Sequence, residues 1–137
     1  MRKIILITGG QRSGKSDYAE RLALSLSDAP IYMATSRIWD EEFRHRVEMH
    51  KQRRGSQWTN IEEEKELSKH NVEGRTVLID CVTLWATNFF FDLEQECRKS
   101  AKAAGEHVRR TLDALKQEFD KFTNQEATFI FLSLIHI

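Results

Sequence analysis

Proline and cysteine are scarce in this chain, one of the first and two of the second among 137 residues. Cys81 and Cys97 are too few for the disulfide framework of a small secreted domain, and a single bridge is unexpected in a cytosolic enzyme. They read as small buried apolar side chains. With one proline, no repeats and no low-complexity tract, the sequence shows no domain boundary. Long hydrophobic runs are missing too. The N-terminal run from Ile4 to Ile7 is too short for a secretory signal, and nothing approaches the roughly 20 apolar residues that cross a bilayer. The expected location is the cytoplasm. Net charge is also absent: 21 Lys and Arg balance 21 Asp and Glu, so no global field favours nucleic acid or an anionic membrane. What remains is 40% apolar and 31% charged, the composition of a soluble globular domain large enough to bury a core.

Periodicity predicts alternating strands and helices. Lys3 to Thr8 is a β-branched apolar run ending at a glycine pair, hence a buried strand. Ser16 to Leu26 reads as a helix with Tyr18, Leu22 and Leu26 on its packing side. After Pro30 a short strand covers Ile31 to Ala34. Asp40 to Arg54 is a charged helix, with Asp40, Glu41 and Glu42 at the acid-favouring end and Lys51, Arg53 and Arg54 at the base-favouring end. Asn60 to Glu73 reads as a polar loop with a short helix. Thr76 to Cys81 is a further buried strand, followed by Leu84 to Phe91. A long helix is expected from Leu93 to Phe122. Its stripe of Cys97, Ala101, Ala104, Val108, Leu112, Leu115, Phe119 and Phe122 is read as core packing. Thr128 to Leu132 completes an α/β pattern, a parallel sheet with right-handed crossovers. Such a strand normally leads into a covering helix. The chain is therefore expected to be one domain over 1–132 lacking its C-terminal part, with 133–137 a non-native or truncated tail.

Gly9, Gly10, Gln11, Arg12, Ser13, Gly14, Lys15 and Ser16 satisfy the spacing of a P-loop. Glycines let successive backbone N–H groups approach phosphate oxygens. The following helix aims its positive end at the same anion. Lys15 is placed to neutralise the β- and γ-phosphates and the Ser16 hydroxyl to ligate Mg²⁺. The strand before the motif and the helix after it are the context that distinguishes it from a chance glycine-rich turn. Val77-Leu78-Ile79-Asp80 is an apolar strand ending in an acid. In P-loop enzymes such an Asp holds Mg²⁺; the alternative is an Asp that only caps the strand.

The helix from Asp40 to Arg54 carries a second constellation. Phe43, Val47, His50 and Arg54 share one face, and Arg46 and Arg54 flank His50 one turn away. Nearby cations disfavour the imidazolium, and a neutral imidazole is what attack on phosphorus requires. The arginines, with Lys51 and Arg53, suit phosphate. On its own, His50 also fits a structural histidine on a half-buried face. His45 reads as a solvated helix residue, and His70, His107 and His136 show no comparable setting.

Taken in order, these residues resemble the bifunctional adenosylcobinamide kinase/adenosylcobinamide-phosphate guanylyltransferases of cobalamin biosynthesis. The resemblance rests on Thr8 to Ser16, Tyr32-Met33-Ala34-Thr35-Ser36, Asp40-Glu41-Glu42, Arg46-Val47, His50-Lys51 and Arg54. It continues through Trp58-Thr59, Ile61-Glu62-Glu63, Leu78 to Trp85 and Thr87-Asn88, to about Leu132. It implies a P-loop NTPase-like (RecA-like) fold, a mostly parallel sheet flanked by helices. It implies phosphorylation of the aminopropanol hydroxyl of adenosylcobinamide by ATP or GTP. Transfer of GMP from GTP onto that phosphate follows, through a guanylylated histidine. His50 corresponds to that nucleophile, and Gly9 to Ser16 to the triphosphate cradle. Ala34, Thr35, Ser36, Lys51, Gln52, Arg53, Arg54, Glu62 and Asp80 correspond to further nucleotide contacts. Mg²⁺ at Ser16 and Asp80 and a homo-oligomer, a trimer, are implied as well. Gly55 stands where the family usually has proline, and the family continues past the last strand with residues expected to complete the site. Two other readings stay open: another small-molecule P-loop kinase in which His50 is structural, and a nucleotide-binding fragment without activity.

Overall fold

The computed structural model describes residues 2–10, 14–37, 40–99 and 104–134. Five strands form one sheet: β1 (Lys3–Gly9), β2 (Ile31–Ala34), β3 (Thr59–Glu62), β4 (Thr76–Asp80) and β5 (Thr128–Leu134), in the spatial order β1-β5-β4-β2-β3. Every pairing is parallel. Among the described residues the helices are α1 (Lys15–Leu26), α2 (Glu41–Arg53), α3 (Val82–Lys99) and α4 (Ala104–Thr123), with a 3-10 turn at Leu67–Lys69. The expected α/β architecture is the observed one. Among the described residues, no helix is long and apolar enough to cross a membrane.

Side-chain alternation along the strands builds two cores. Ile31, Met33, Val77, Ile79, Phe129 and Phe131 point to one face, where Trp85 of α3 and Phe122 of α4 cover them together with Leu67 and Val72. Leu78, Ile130 and Leu132 point to the other, where Ala19 and Ala23 of α1 lie against them with Cys81 and Trp58. β4 and β5 are therefore covered on both sides, which is why they read as unbroken apolar runs. β1 is covered on one side: Ile5 and Ile7 pack toward α1, while Ile4 and Leu6 are 47% and 61% exposed.

Several expectations are corrected. The packing face of α1 is Ala19 and Ala23 with Leu22, and Tyr18 and Leu26 are exposed. Small side chains bring the helix close to the sheet, so choosing the largest apolar residues at four-residue spacing selects the wrong stripe. Part of the supposed polar loop is the strand β3, whose Asn60 and Ile61 are only half-buried at the sheet edge. The supposed long helix is two, α3 and α4, with residues 100–103 outside the described ones. Its stripe is core only toward its end: Phe122 is buried, Leu115 and Phe119 pack against the core, and Val108 and Leu112 are exposed. The side chain of Cys97 lies outside the described residues, whereas Cys81 is buried as expected. β5 runs two residues beyond Leu132, through Ser133 and Leu134, in register with Thr8 and Gly9.

The asymmetric cover of the sheet has a measurable consequence. Phe129→Ala, in the doubly covered β5, should cost about 3–5 kcal/mol in urea-denaturation stability. Leu6→Gln, on the open side of β1, should change it by less than about 0.5 kcal/mol.

Candidate nucleotide site

The C-terminal ends of β1, β2 and β4 lie at the same end of the sheet because every pairing is parallel. Ligands in open α/β sheets bind at this end. A cavity of about 600 Å³ opens there, and its walls include Ser16, Glu20, Tyr32, Ala34, Ser36 and Asp80. α2 supplies one side with Arg46, Val47, His50 and Arg53, continued by Arg54.

The turn from β1 into α1 is shaped by Gly14, whose φ of 78° is left-handed and strains any residue with a Cβ. α1 starts at Lys15, and the Tyr18 amide donates to the Gly14 carbonyl at 3.1 Å as its first closed turn. Lys15 Nζ donates to the Gly10 carbonyl at 3.3 Å. Gln11, Arg12 and Ser13 lie outside the described residues.

β2 and β4 are clasped where they end. The Thr35 amide donates to the Asp80 carbonyl at 3.1 Å. Its hydroxyl donates to the Cys81 carbonyl at 2.8 Å and accepts from the Cys81 amide at 3.0 Å. The buried Asn88 amide of α3 donates to the carbonyls of Thr35 and Glu64 at 2.8 and 2.9 Å. Thr35 is therefore fully buried and engaged within the protein, and it holds its neighbours Ala34 and Ser36 at the cavity wall. Below the clasp, the Tyr32 hydroxyl donates a short hydrogen bond to Asp80 Oδ2. Burial, then the adjacent Asp80 carboxylate, push the phenol far above its ordinary range, so it stays a donor. The Arg54 guanidinium lies on the Tyr32 ring, 3.4 Å from Cζ to centroid. Arg54 Nε and Nη2 also donate to Asn60 Oδ1 at 3.0 and 2.9 Å.

The structure thus brings Ser16, Ala34, Ser36, His50, Arg53, Arg54 and Asp80 around one cavity. Glu62 lines an adjacent hollow with Glu63 and Glu64 that shares Ser36 with the first. Lys51 and Gln52 belong to α2 but do not line the cavity, and Gln52 is exposed. His50 is exposed rather than half-buried, and none of the described side chains of α2 is buried, so its Val47–His50–Arg54 face looks into the cavity and not into a core. The side chain of Phe43 lies outside the described residues.

Three polar wall residues, Asp17, Glu20 and Tyr32, were not expected as nucleotide contacts. Tyr32 is hidden inside an apolar strand, and only the register with β4 reveals its reach to Asp80. Glu20 lies one helical turn after Ser16, a spacing that places both on one side of α1. Burial raises its carboxyl above the ordinary value; Arg54 and His50 oppose that shift, and Asp17 and Asp80 add to it.

The oxygen donors define what metal fits. Among the described residues, no three His, Cys, Asp or Glu side chains cluster as a closed metal cage. Ser16 and Asp80 offer one hydroxyl and one carboxylate at the same cavity. Mg²⁺ takes one or two such hard ligands and completes its shell with phosphate oxygens and water, so this pair fits it.

The family profile described as cobinamide kinase / cobinamide phosphate guanyltransferase matches residues 5–133. The chain belongs to this family. Among its relatives, the bifunctional adenosylcobalamin biosynthesis protein CobP of Pseudomonas aeruginosa is 45% identical over 87 residues, 61% of this chain and 50% of that protein. CobU of Escherichia coli K12, with the same descriptive name, is 42% identical over 93 residues, 65% of this chain and 51% of its own. CobU of Salmonella typhimurium is 38% identical over 99 residues, 68% and 53% respectively. This member of the cobinamide kinase family spans about half the length of the curated relatives it matches.

A charged network braces the loops on the far side of the clasp. Arg37 donates to both carboxylate oxygens of Asp92 at 2.9 and 3.0 Å and to Glu64 at 3.0 Å, and Lys65 donates to Asp92 at 2.9 Å. The Arg37 hydrogen bonds are the main cause, against some burial, that holds Asp92 down at about 2. A depressed folded value means that this stabilisation is complete above the unfolded value of 3.8 and fades as pH falls toward 2. Asp92 is 38% exposed, so solvent screening limits the contribution to about 1 kcal/mol. Asp92→Asn should remove that amount at pH 7 and flatten the acid limb of a stability-versus-pH curve over that window.

Proposed function

We propose that the protein acts as an adenosylcobinamide kinase and adenosylcobinamide-phosphate guanylyltransferase, using ATP or GTP for the first reaction and GTP for the second. The observation that carries this reading is the meeting of Ser16 from the P-loop, Asp80 from β4 and His50 from α2 at one cavity. The first two suit a metal-bound triphosphate and the third a nucleophile; the family membership supplies the substrate class.

In the kinase reaction the corrinoid's aminopropanol oxygen attacks the γ-phosphorus, the bond to the β-phosphate oxygen breaks, and the nucleoside diphosphate leaves. In the second, an unprotonated ring nitrogen of His50 attacks the α-phosphorus of GTP. A P–N bond forms, the α–β P–O bond breaks, and pyrophosphate departs. An oxygen of adenosylcobinamide phosphate then displaces the imidazole, giving adenosylcobinamide-GDP. A covalent intermediate divides one difficult transfer into two displacements. The P-loop sequence from Gly9 to Gly14, of which Gln11, Arg12 and Ser13 lie outside the described residues, is assigned the role of phosphate cradle, and Lys15 adds a point charge. Arg53 and Arg54, which line the cavity, and Lys51 beside them orient the phosphates from the α2 side. Mg²⁺, held by Ser16 and Asp80, would neutralise charge developing on the phosphate oxygens. Ala34 and Ser36 reach the nucleotide from the end of β2, and Glu62 from the neighbouring hollow. A cytoplasmic location is part of the same proposal; among the described residues no helix is long and apolar enough to cross a membrane. The proposal extends to a homotrimer, whose interface would cover Val108 and Leu112 of α4, 38% and 44% exposed here.

Incubation with α-³²P-GTP and Mg²⁺ should label the protein with a bond stable in alkali and labile in acid, and His50→Ala should abolish the label. Phosphorylation of a small alcohol without protein labelling would instead indicate a different P-loop kinase. Binding without either would indicate a nucleotide-binding chain without activity.

A further inference from the structure

Tyr32 stands at the middle of the cavity wall with a contact on each of its chemical parts. Its hydroxyl donates to Asp80 Oδ2. Its ring face carries the Arg54 guanidinium at 3.4 Å. Trp58 meets the ring edge-on, at 6.1 Å between centroids and an interplanar angle of 78°. Tyr32 is opposite Leu78 on β4 and Asn60 on β3. Asp80 lies two residues beyond Leu78, on the same face, so only a side chain as long as tyrosine's spans the offset. Asn60, the other register partner, accepts from Arg54 Nε and Nη2 and so holds the guanidinium over the ring.

We infer that Tyr32 is a positioning residue with two separable duties, orienting the Asp80 carboxylate through its hydroxyl and the Arg54 guanidinium through its ring. The inference rests on the proposal that a Mg²⁺-bound nucleotide occupies this cavity. The terminal torsion of an aspartate is broad, so an unheld carboxylate samples many orientations. The hydroxyl engages Oδ2 and so restrains the plane of the carboxylate at the cavity wall. Removing a partner that orients a metal-binding carboxylate in this way typically costs about 10–100-fold in metal affinity. The ring acts differently. It offers a polarised face that keeps an arginine extended over the cavity, an interaction independent of the metal.

The two duties predict different losses, read as GTP affinity by calorimetry with excess Mg²⁺ and again with EDTA. Tyr32→Phe keeps the ring and removes the hydroxyl. It should bind GTP within about twofold of the unmodified chain in EDTA yet lose about tenfold of the affinity that Mg²⁺ adds. Tyr32→Leu removes both parts and should in addition weaken binding in EDTA by about fivefold. Far-UV circular dichroism reports whether each variant keeps its fold, and a merely structural tyrosine would weaken both conditions equally in Tyr32→Phe. An unchanged Mg²⁺ gain in a folded Tyr32→Phe protein would overturn the assignment while leaving the nucleotide proposal standing. An unmodified chain that gains no affinity from Mg²⁺ would overturn both.

Discussion

The parallel pairing of β2 with β4 ends with Ala34 opposite Asp80, and there the Thr35 hydroxyl clasps the Cys81 backbone. A shift of one residue in that register would turn Tyr32 and Asp80 to opposite faces and move the carboxylate away from Ser16. The clasp resists such a shift because it is buried: each of its groups, if left unpaired, would cost about 1–3 kcal/mol. Asn88 ties α3 to the same point, so the loops after β2 and β3 are fixed by one polar cluster beneath the cavity floor. The site is held from below, by strands, and is open from above.

α2 has the opposite character. It buries no described side chain and presents His50 and its arginines to the cavity from a charged, exposed helix. Its firm tether is at its end, where Arg54 lies between the Tyr32 ring and Asn60. A rigid floor for the triphosphate and a loosely packed arm for the nucleophile suit a protein proposed to handle two substrates in succession. The floor must not change between the reactions, while the arm has to meet the α-phosphorus only in the second.

The legible parts of the fold were those in which sequence pattern and burial coincide. β4 and β5 are covered on both faces and read as apolar runs, and the glycine spacing from Gly9 to Gly14 marks the turn between β1 and α1. β3 was illegible because Thr59 to Glu62 is a four-residue edge strand with no buried side chain. The division between α3 and α4 was illegible because the apolar stripe continues across it. On α1 the fully buried residues are alanines, while the large apolar Tyr18 and Leu26 face water, which misleads the usual reading of an amphipathic helix. Within the site, Ser16, His50 and Asp80 were visible through their chemistry. Tyr32 was quoted only as part of a string, and Thr35 was expected to contact nucleotide whereas it is buried in the clasp, because both roles depend on what lies opposite them in the sheet.

The central claim is spatial: the inner phosphorus of a triphosphate seated on the P-loop lies within reach of the residue 50 imidazole. A crystal structure with Mg²⁺ and α,β-methylene GTP, which cannot be cleaved at that bond, tests it directly. The account requires the terminal phosphates at Lys15 and Ser16 and the α-phosphorus about 3–4 Å from a His50 ring nitrogen. A triphosphate seated elsewhere, or a His50 ring turned away with the α-phosphorus out of its reach, would contradict it.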